Sequence, residues 1–432
     1  MNHFRVGSVN VLIAICFLLP SKQLGAEEYR PTWADKRPQR TINIEAAADP
    51  LQNGQRLVKA VESLKPGDGL VIGAGTYSIE RLWDVTVSGT AERPLWIVAA
   101  KDAKVVLTRP DSKQNILNVG RAKPVSFVCL RGLEFTGGSH GIRLGACNDL
   151  WIDGCHIHHT AEVGLSANSA DTQRIFLTRN TIHHTGGTAE GMYLGGNDGA
   201  VIMSESVIAL NHVYECRGNQ GDGIELKQGS WGNRIVGNRV HDCNYPCITV
   251  YGTAGKPQNI IERNVCYRSE DSAMQVQGEA MVRNNLLVGG KNAAFASTDH
   301  QGKTVNLQVV HNTLLNENHA FRGGSWNSRA NMVLANNVIY SRAQNALHFP
   351  NGFESITITG NVLLGNGPKF DSRRGEGLED FKAITWDADR LDASPLNEEK
   401  FNCGDQIYRL PMDLFGRARS ESKIIAGAVI SE

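Results

Sequence analysis

Eight asparagines, Asn180, Asn211, Asn238, Asn264, Asn284, Asn312, Asn336 and Asn361, each open a near-identical phrase, and this recurrence constrains the fold more than any other feature. The phrases read NTIHH, NHVYE, NRVHD, NVCYR, NNLLV, NTLLN, NNVIY and NVLLG, at steps of 31, 27, 26, 20, 28, 24 and 25 residues. Each follows a short alternating apolar run, such as RIFLTRN or SITITGN. A unit of this length cannot bury its own apolar face and must stack on its neighbours. Upstream, IDGCHIHHT and LRGLEFTGG continue the series with Cys155 and Leu133 at the asparagine position.

A second short run follows within each unit: GIRLG (141–145), GLSAN (164–168), GMYLG (191–195), GIELK (223–227), CITVY (247–251), AMQVQ (273–277), AFRGG (320–324) and ALHFP (346–350). Period-2 alternation punctuated by Gly and Asn predicts strands joined by tight turns. The units are too short for helical crossovers, so each coil lies on the previous one as parallel strands about 4.8 Å apart. The asparagines then stack amide on amide as a turn-lining ladder. This pattern resembles the right-handed parallel β-helix of pectate-lyase-like proteins. The expected fold is an all-β, right-handed parallel β-helix solenoid with an N-terminal cap helix and an irregular C-terminal tail, its handedness taken from the resemblance.

The first 26 residues look like a secretory signal, with Arg5, the apolar stretch Val11 to Leu19 and a small-residue site at Leu24-Gly25-Ala26. Nine apolar residues are too few to span a bilayer, and no later segment is a candidate, so a secreted or periplasmic chain without a membrane span is expected. The 44 basic and 44 acidic residues balance, which argues against a nucleic-acid partner. Eight of the nine cysteines follow position 26. Cys216 and Cys243 fall at equivalent positions of successive coils, where a disulfide or two buried thiols fit equally.

Residues 27–124 are read as an N-terminal cap and first strands, with helical periodicity over Leu51 to Leu64. That helix would cover the apolar open end of the stack. Coils are expected over 125–366 and a closing segment over 367–432, in one elongated domain, as a monomer.

Alternation in the second strand sends one column outward: Arg143, Ser166, Tyr193, Glu225, Thr249, Gln275, Arg322 and His348. A parallel column carries Gly145, Asn168, Gly195, Lys227, Tyr251, Gln277 and Gly324, and the first strand adds His158, His183, Tyr214, His241 and Tyr267. Later coils show Leu287, Leu315 and Leu364 in the first-strand column. Charged, aromatic and imidazole groups thus concentrate in the middle coils, as a track for a polysaccharide, whose hydroxyls need hydrogen bonds and whose ring faces stack on aromatics. Arg143, Tyr193, Glu225, Gln275 and Arg322 are the candidate substrate contacts.

Glu190 and Asp222 each lie two residues before equivalent inward positions, Met192 and Ile224, so their carboxylates should sit about 5 Å apart. Such a pair repels, raises a pKa or recruits a cation. With Gln220, the oxygen set suits Ca²⁺; the alternative is two water-facing acids in a turn. Lys227 lies five residues after Asp222, outward on the same strand. Abstraction of the C5 proton of a uronic acid needs a base and a charge to neutralise the adjacent carboxylate. Lys227 is the candidate base and Tyr251 the candidate acid, with His183, His241 and Tyr193 in reserve. Glu225 beside Lys227 can instead pair with it and hold its pKa high.

The stretch from Gln220 to Gly252 resembles the catalytic segment of the chondroitinase B and alginate lyase family of polysaccharide lyases. The resemblance implies calcium ligation at Gln220 and Asp222, a third ligand near Glu190, Lys227 as base and an acidic polysaccharide as substrate. Two departures stand out: Gln220 replaces an acid, and the family's catalytic arginine has no counterpart near Val250 and Tyr251. A polygalacturonase-type hydrolase needs further carboxylates, where this chain has Gly223. A C5-epimerase would use the same proton abstraction. A non-catalytic glycan-binding or adhesive β-helix remains compatible with the residues.

Overall fold

The computed structural model describes residues 26–368, 370 and 372–431; residues 1–25, which hold nearly all of the signal-like stretch, lie outside the described residues. Successive coils each contribute one strand to three long parallel sheets of 15, 13 and 11 strands. One coil illustrates the path: Phe176–Thr178 in the first sheet, Thr181–Thr185 in the second and Met192–Leu194 in the third. The architecture is a parallel β-helix, and its rungs begin before the asparagine repeat does, at Arg40–Ile44.

Alternation fills the interior. Ile157, Ile182, Val213, Val240 and Cys266 stack in the second sheet, and Ile142, Leu165, Met192, Ile224, Ile248 and Met274 in the third, all fully buried. Helix α1, Pro50–Glu62, closes the N-terminal end; Asp49 caps it by accepting the Leu51 N–H, and Pro50 sits where its missing N–H costs nothing. Its buried face carries Leu57 and Val61, each worth about 1.5–3 kcal/mol on transfer from water.

The asparagine ladder lines the turn between the first and second sheets. Each side chain donates to the next asparagine Oδ1 and to a backbone carbonyl of the preceding coil, as Asn211 does to Asn238 and to Leu177 O, both at 2.9 Å. Each Oδ1 also accepts the backbone N–H of the asparagine before it, so these buried amides are satisfied along the stack. In two phrases the register differs from the sequence expectation. Asn285 and Asn337 are the ladder members, not Asn284 and Asn336. The first asparagine of each NN pair is in the left-handed region, φ 53° and 57°, which asparagine tolerates. Correspondingly Val288, not Leu287, continues the column from Tyr267. A second, shorter ladder, Asn233 over Asn259, was not foreseen.

Asn284 and Asn336 hold the C-terminal segment. Asn284 donates to Met412 O and accepts from Arg419, while Asn336 and the Asp405 backbone exchange two bonds. The segment is less irregular than expected: Phe381–Ile384 and Leu391–Pro395 pair antiparallel. Phe381, Phe401, Leu414 and Val429 pack over Val288, Leu315 and Tyr340 on the second sheet. That covering explains why the outward column turns apolar in the later coils. Cys216 and Cys243 are register partners as expected, and both are free, buried thiols.

Candidate functional site

The outward column of the third sheet runs in unbroken register from Arg143 through Ser166, Tyr193, Glu225, Thr249, Gln275, Ala296 and Arg322 to His348. Ala296 supplies a rung that the repeat phrases did not reveal. Four successive coils enter this sheet through glycine, at Gly141, Gly164, Gly191 and Gly223, for a steric reason. A Cβ on Gly223 would lie 2.2 Å from Val240 Cγ1 and 2.5 Å from Cys247 O, so the strand bearing Glu225 and Lys227 can approach its neighbours only as glycine.

Lys227 is not the exposed strand lysine that alternation predicted. It is 4 % exposed, as is Glu225, and the two form a buried ion pair with Nζ 2.5 Å from Oε1. The ammonium lies 4.6 Å from the Tyr193 ring centroid and 5.3 Å from that of Tyr251, where cation–π attraction adds to the pair. Tyr251 Oη lies 3.5 Å from the same Glu225 oxygen. A second segment reaches this centre through Tyr251. His300 packs on Tyr251, with ring centroids 5.5 Å apart. Gln301 accepts from the Asp198 N–H and donates to Asn197 Oδ1, which also accepts from Tyr193 Oη. Residues 298–304 and 197–199 thus bridge across the mouth of the centre. Nothing in the coil periodicity marks that loop, so the sequence reading missed it.

Glu190 and Asp222 are buried as well, at 1 % and 4 % exposure, which excludes two water-facing acids. Each carboxylate has one hydroxyl donor, Thr188 at 2.7 Å for Glu190 and Thr249 at 2.5 Å for Asp222. Burial pushes both carboxyl pKa values up, and the neighbouring Glu225 charge adds to the effect. Burial also pushes Glu225 up, with Lys227 opposing it. For Lys227, burial acts downward, but Glu225 outweighs it and the net shift is upward. The amine is therefore protonated at neutral pH. The Tyr251 phenol is raised, by burial and then by the Glu225 and Asp222 charges, and stays protonated. Three carboxyl groups thus share one ammonium. Gln220 is exposed, with its backbone carbonyl accepting the Asp222 N–H.

Arg143 lines a depression of about 270 Å³ at one end of the column, and Gln275 and Arg322 line another of about 490 Å³ at the other. His183 and His241 belong to the second sheet, in a stack of rings running His158, His183, Tyr214, His241, Tyr267 at centroid spacings of 4.5 to 5.2 Å. Among the described residues, no hydrogen bond or ring contact joins either histidine to Lys227. Burial and the adjacent imidazoles push His183 down to about 3, and burial lowers His241 against the pull of Asp242.

Comparisons with known proteins agree with this architecture. The model of the right-handed beta helix region matches residues 115–258, and that of the periplasmic copper-binding protein NosD matches residues 217–404. No curated protein matches the chain. Among solved structures, pectate lyase Pel9A is similar at 15 % identity and TM-score 0.54, over 92 % of this chain and 98 % of that one. XylC in complex with xylose is similar at 12 % identity and TM-score 0.58, over 91 % and 99 %. The PL6 family alginate lyase AlyGC is similar at 14 % identity and TM-score 0.51, over 89 % of this chain and 57 % of that one. The fold is thus a right-handed parallel β-helix of the kind that polysaccharide lyases use, and at these identities the likeness speaks for the fold alone.

Proposed function

We propose that this protein is an exported lyase that cleaves a uronic-acid-containing polysaccharide by β-elimination, with Lys227 as the base. The observation that carries the reading is the buried assembly of Lys227, Glu225, Tyr193 and Tyr251 beside Glu190 and Asp222, between two polar depressions on one sheet. The match to a periplasmic protein's model supports export, and among the described residues no helix is long and apolar enough to cross a membrane.

Substrate entry must move residues 298–304 aside and break the Lys227–Glu225 pair. Lys227 must first give up its own proton, to Glu225 or to solvent. The neutral, desolvated amine then takes the C5 proton, and Tyr251, held protonated one coil on, donates to the departing glycosidic oxygen. Tyr193 offers a ring face to the sugar. The excess of buried carboxyl groups over ammonium at Glu190 and Asp222 fits a hard, oxygen-ligated cation, with Gln220 as the exposed third donor. A calcium ion there would supply the charge that neutralises the uronate carboxylate.

The ion pair favours a second reading, a glycan-binding β-helix without catalysis, because a paired lysine is a poor base. A panel of uronate polysaccharides read by ultraviolet absorbance separates the two. A lyase gives unsaturated products; a hydrolase gives reducing ends without that absorbance, an epimerase gives inverted uronates by NMR, and a binder gives none of these. The lyase reading fails if Lys227→Ala turns over at the wild-type rate. The calcium assignment fails if chelator changes neither activity nor melting temperature.

A further inference from the structure

We infer that Glu134, His156 and His158, on the second sheet and apart from the Lys227 centre, form a binding site for a divalent transition-metal cation of the Zn²⁺ or Cu²⁺ class. Among the described residues they are the only three His, Cys, Asp or Glu side chains whose ligating atoms all lie within 4.8 Å of one another. The fold dictates this placement. His156 is register partner of Glu134, and His158 projects from the same face two residues on. The carboxylate lies 3.9 Å from His156 Nδ1 and 3.3 Å from His158 Nε2, so two nitrogens and an oxygen face a common point.

The surroundings already hold what ligating imidazoles require. A histidine that binds a metal through one nitrogen donates the other N–H to a fixed partner, which sets ring orientation and tautomer. His156 Nε2 lies 2.8 Å from His183 Nε2, and His158 Nδ1 lies 2.8 Å from His159 Nδ1 and 3.4 Å from Thr136 Oγ1. His183 is in turn 2.7 Å from His184 Nδ1 and stacked parallel to His158, at 5.1 Å and 7° between planes. Three further imidazoles, those of His159, His183 and His184, therefore hold the two candidate ligands in place. The His156 side chain is 41 % exposed, whereas those of His158 and Glu134 are 14 % and 16 % exposed, which leaves one open approach from solvent. Lys104 is the resident cation, 3.2 Å from Glu134, and its side chain is 73 % exposed and free to swing away.

Two imidazoles and a carboxylate with an open position suit Zn²⁺ with a water in the fourth place, and Cu²⁺ binds such donors more tightly still. Ca²⁺, which takes oxygen ligands, should not compete.

The test uses untagged protein stripped with EDTA and titrated with ZnSO₄ by calorimetry, and with Co²⁺ for visible absorption bands. The expected result is one equivalent of Zn²⁺ bound, unaffected by millimolar Ca²⁺. His158→Asn and Glu134→Gln should each weaken binding more than tenfold, and His159→Asn by about tenfold through loss of the outer hydrogen bond. His348→Asn, at a remote imidazole pair, should leave it unchanged, and unaltered melting temperatures of the apo variants confirm intact folds. The assignment is overturned if Zn²⁺ does not bind at micromolar concentration, if His158→Asn retains wild-type affinity, or if His348→Asn lowers affinity as much.

Discussion

At the scale of single residues, the Lys227–Glu225 pair decides how the centre can work. Because the amine is held above its ordinary pKa, the base form is scarce at neutral pH, and lyase activity should climb as pH rises into the alkaline range. In Glu225→Gln the main upward pull is gone and burial faces only the smaller contribution of Tyr193, so the Lys227 pKa drops and the activity limb should move to lower pH. A pH–rate profile of the two proteins checks this; an unmoved limb argues against Lys227 as base. The NN pairs make a separate test. Asn285→Ala leaves the buried Asn264 backbone N–H, which donates to Asn285 Oδ1 at 2.9 Å, without its acceptor. The expected loss is about 2–4 kcal/mol in denaturant unfolding, from an orphaned donor and lost hydrogen bonds. Asn284→Ala should instead raise hydrogen exchange around residues 405–419 and leave the coils protected.

At the scale of elements, the third sheet and the 298–304 segment divide the labour. The strands set side-chain spacing along the track, and the loop sets access. The loop is tied down by Gln301 to Asn197 and to the Asp198 N–H, about 100 residues away in the chain. Gln301→Ala should therefore speed trypsin cleavage at the exposed Lys303 several-fold, since local opening follows the loss of local contacts. Melting temperature should hardly change, because the coils do not depend on that bridge. The strands themselves were legible from alternation and glycine spacing: the column from Arg143 to His348 follows the expected register but for the added rung at Ala296. The loop was not, because a segment that departs from the repeat carries no periodic signal of where it lands.

At the scale of the whole molecule, a solenoid has a problem at each end and on any apolar flank. Helix α1 covers the first end. The C-terminal segment runs back over the second sheet and shields Val288, Leu315 and Tyr340. A chain stopped after Arg374 would expose that surface, and on size-exclusion chromatography it should shift to aggregated species relative to the full chain. If the truncated chain elutes as the full chain does, with an unchanged melting temperature, the flank is not a stabilising interface.

The amino-acid order by itself determined the stack: strand period, coil length and the stacking asparagines are local rules repeated in every coil, and each copy reinforces the same answer. It also placed Glu190, Asp222, Glu225 and Lys227 close together, since a regular spacing converts sequence offset into position. Only the tertiary structure decided which asparagine of each NN pair joins the ladder, because the residue before every ladder asparagine takes a left-handed turn conformation and the first asparagine of each pair fills that position. It alone decided that Lys227 is buried and paired, because Tyr193, Glu225 and Tyr251 from three successive coils close around it. The three-group cluster at Glu134 likewise emerges only once neighbouring coils are laid side by side. Local repetition dictates a scaffold, whereas protonation, access and ligand geometry are set by whatever side chains and non-repeating chain come to rest together on it.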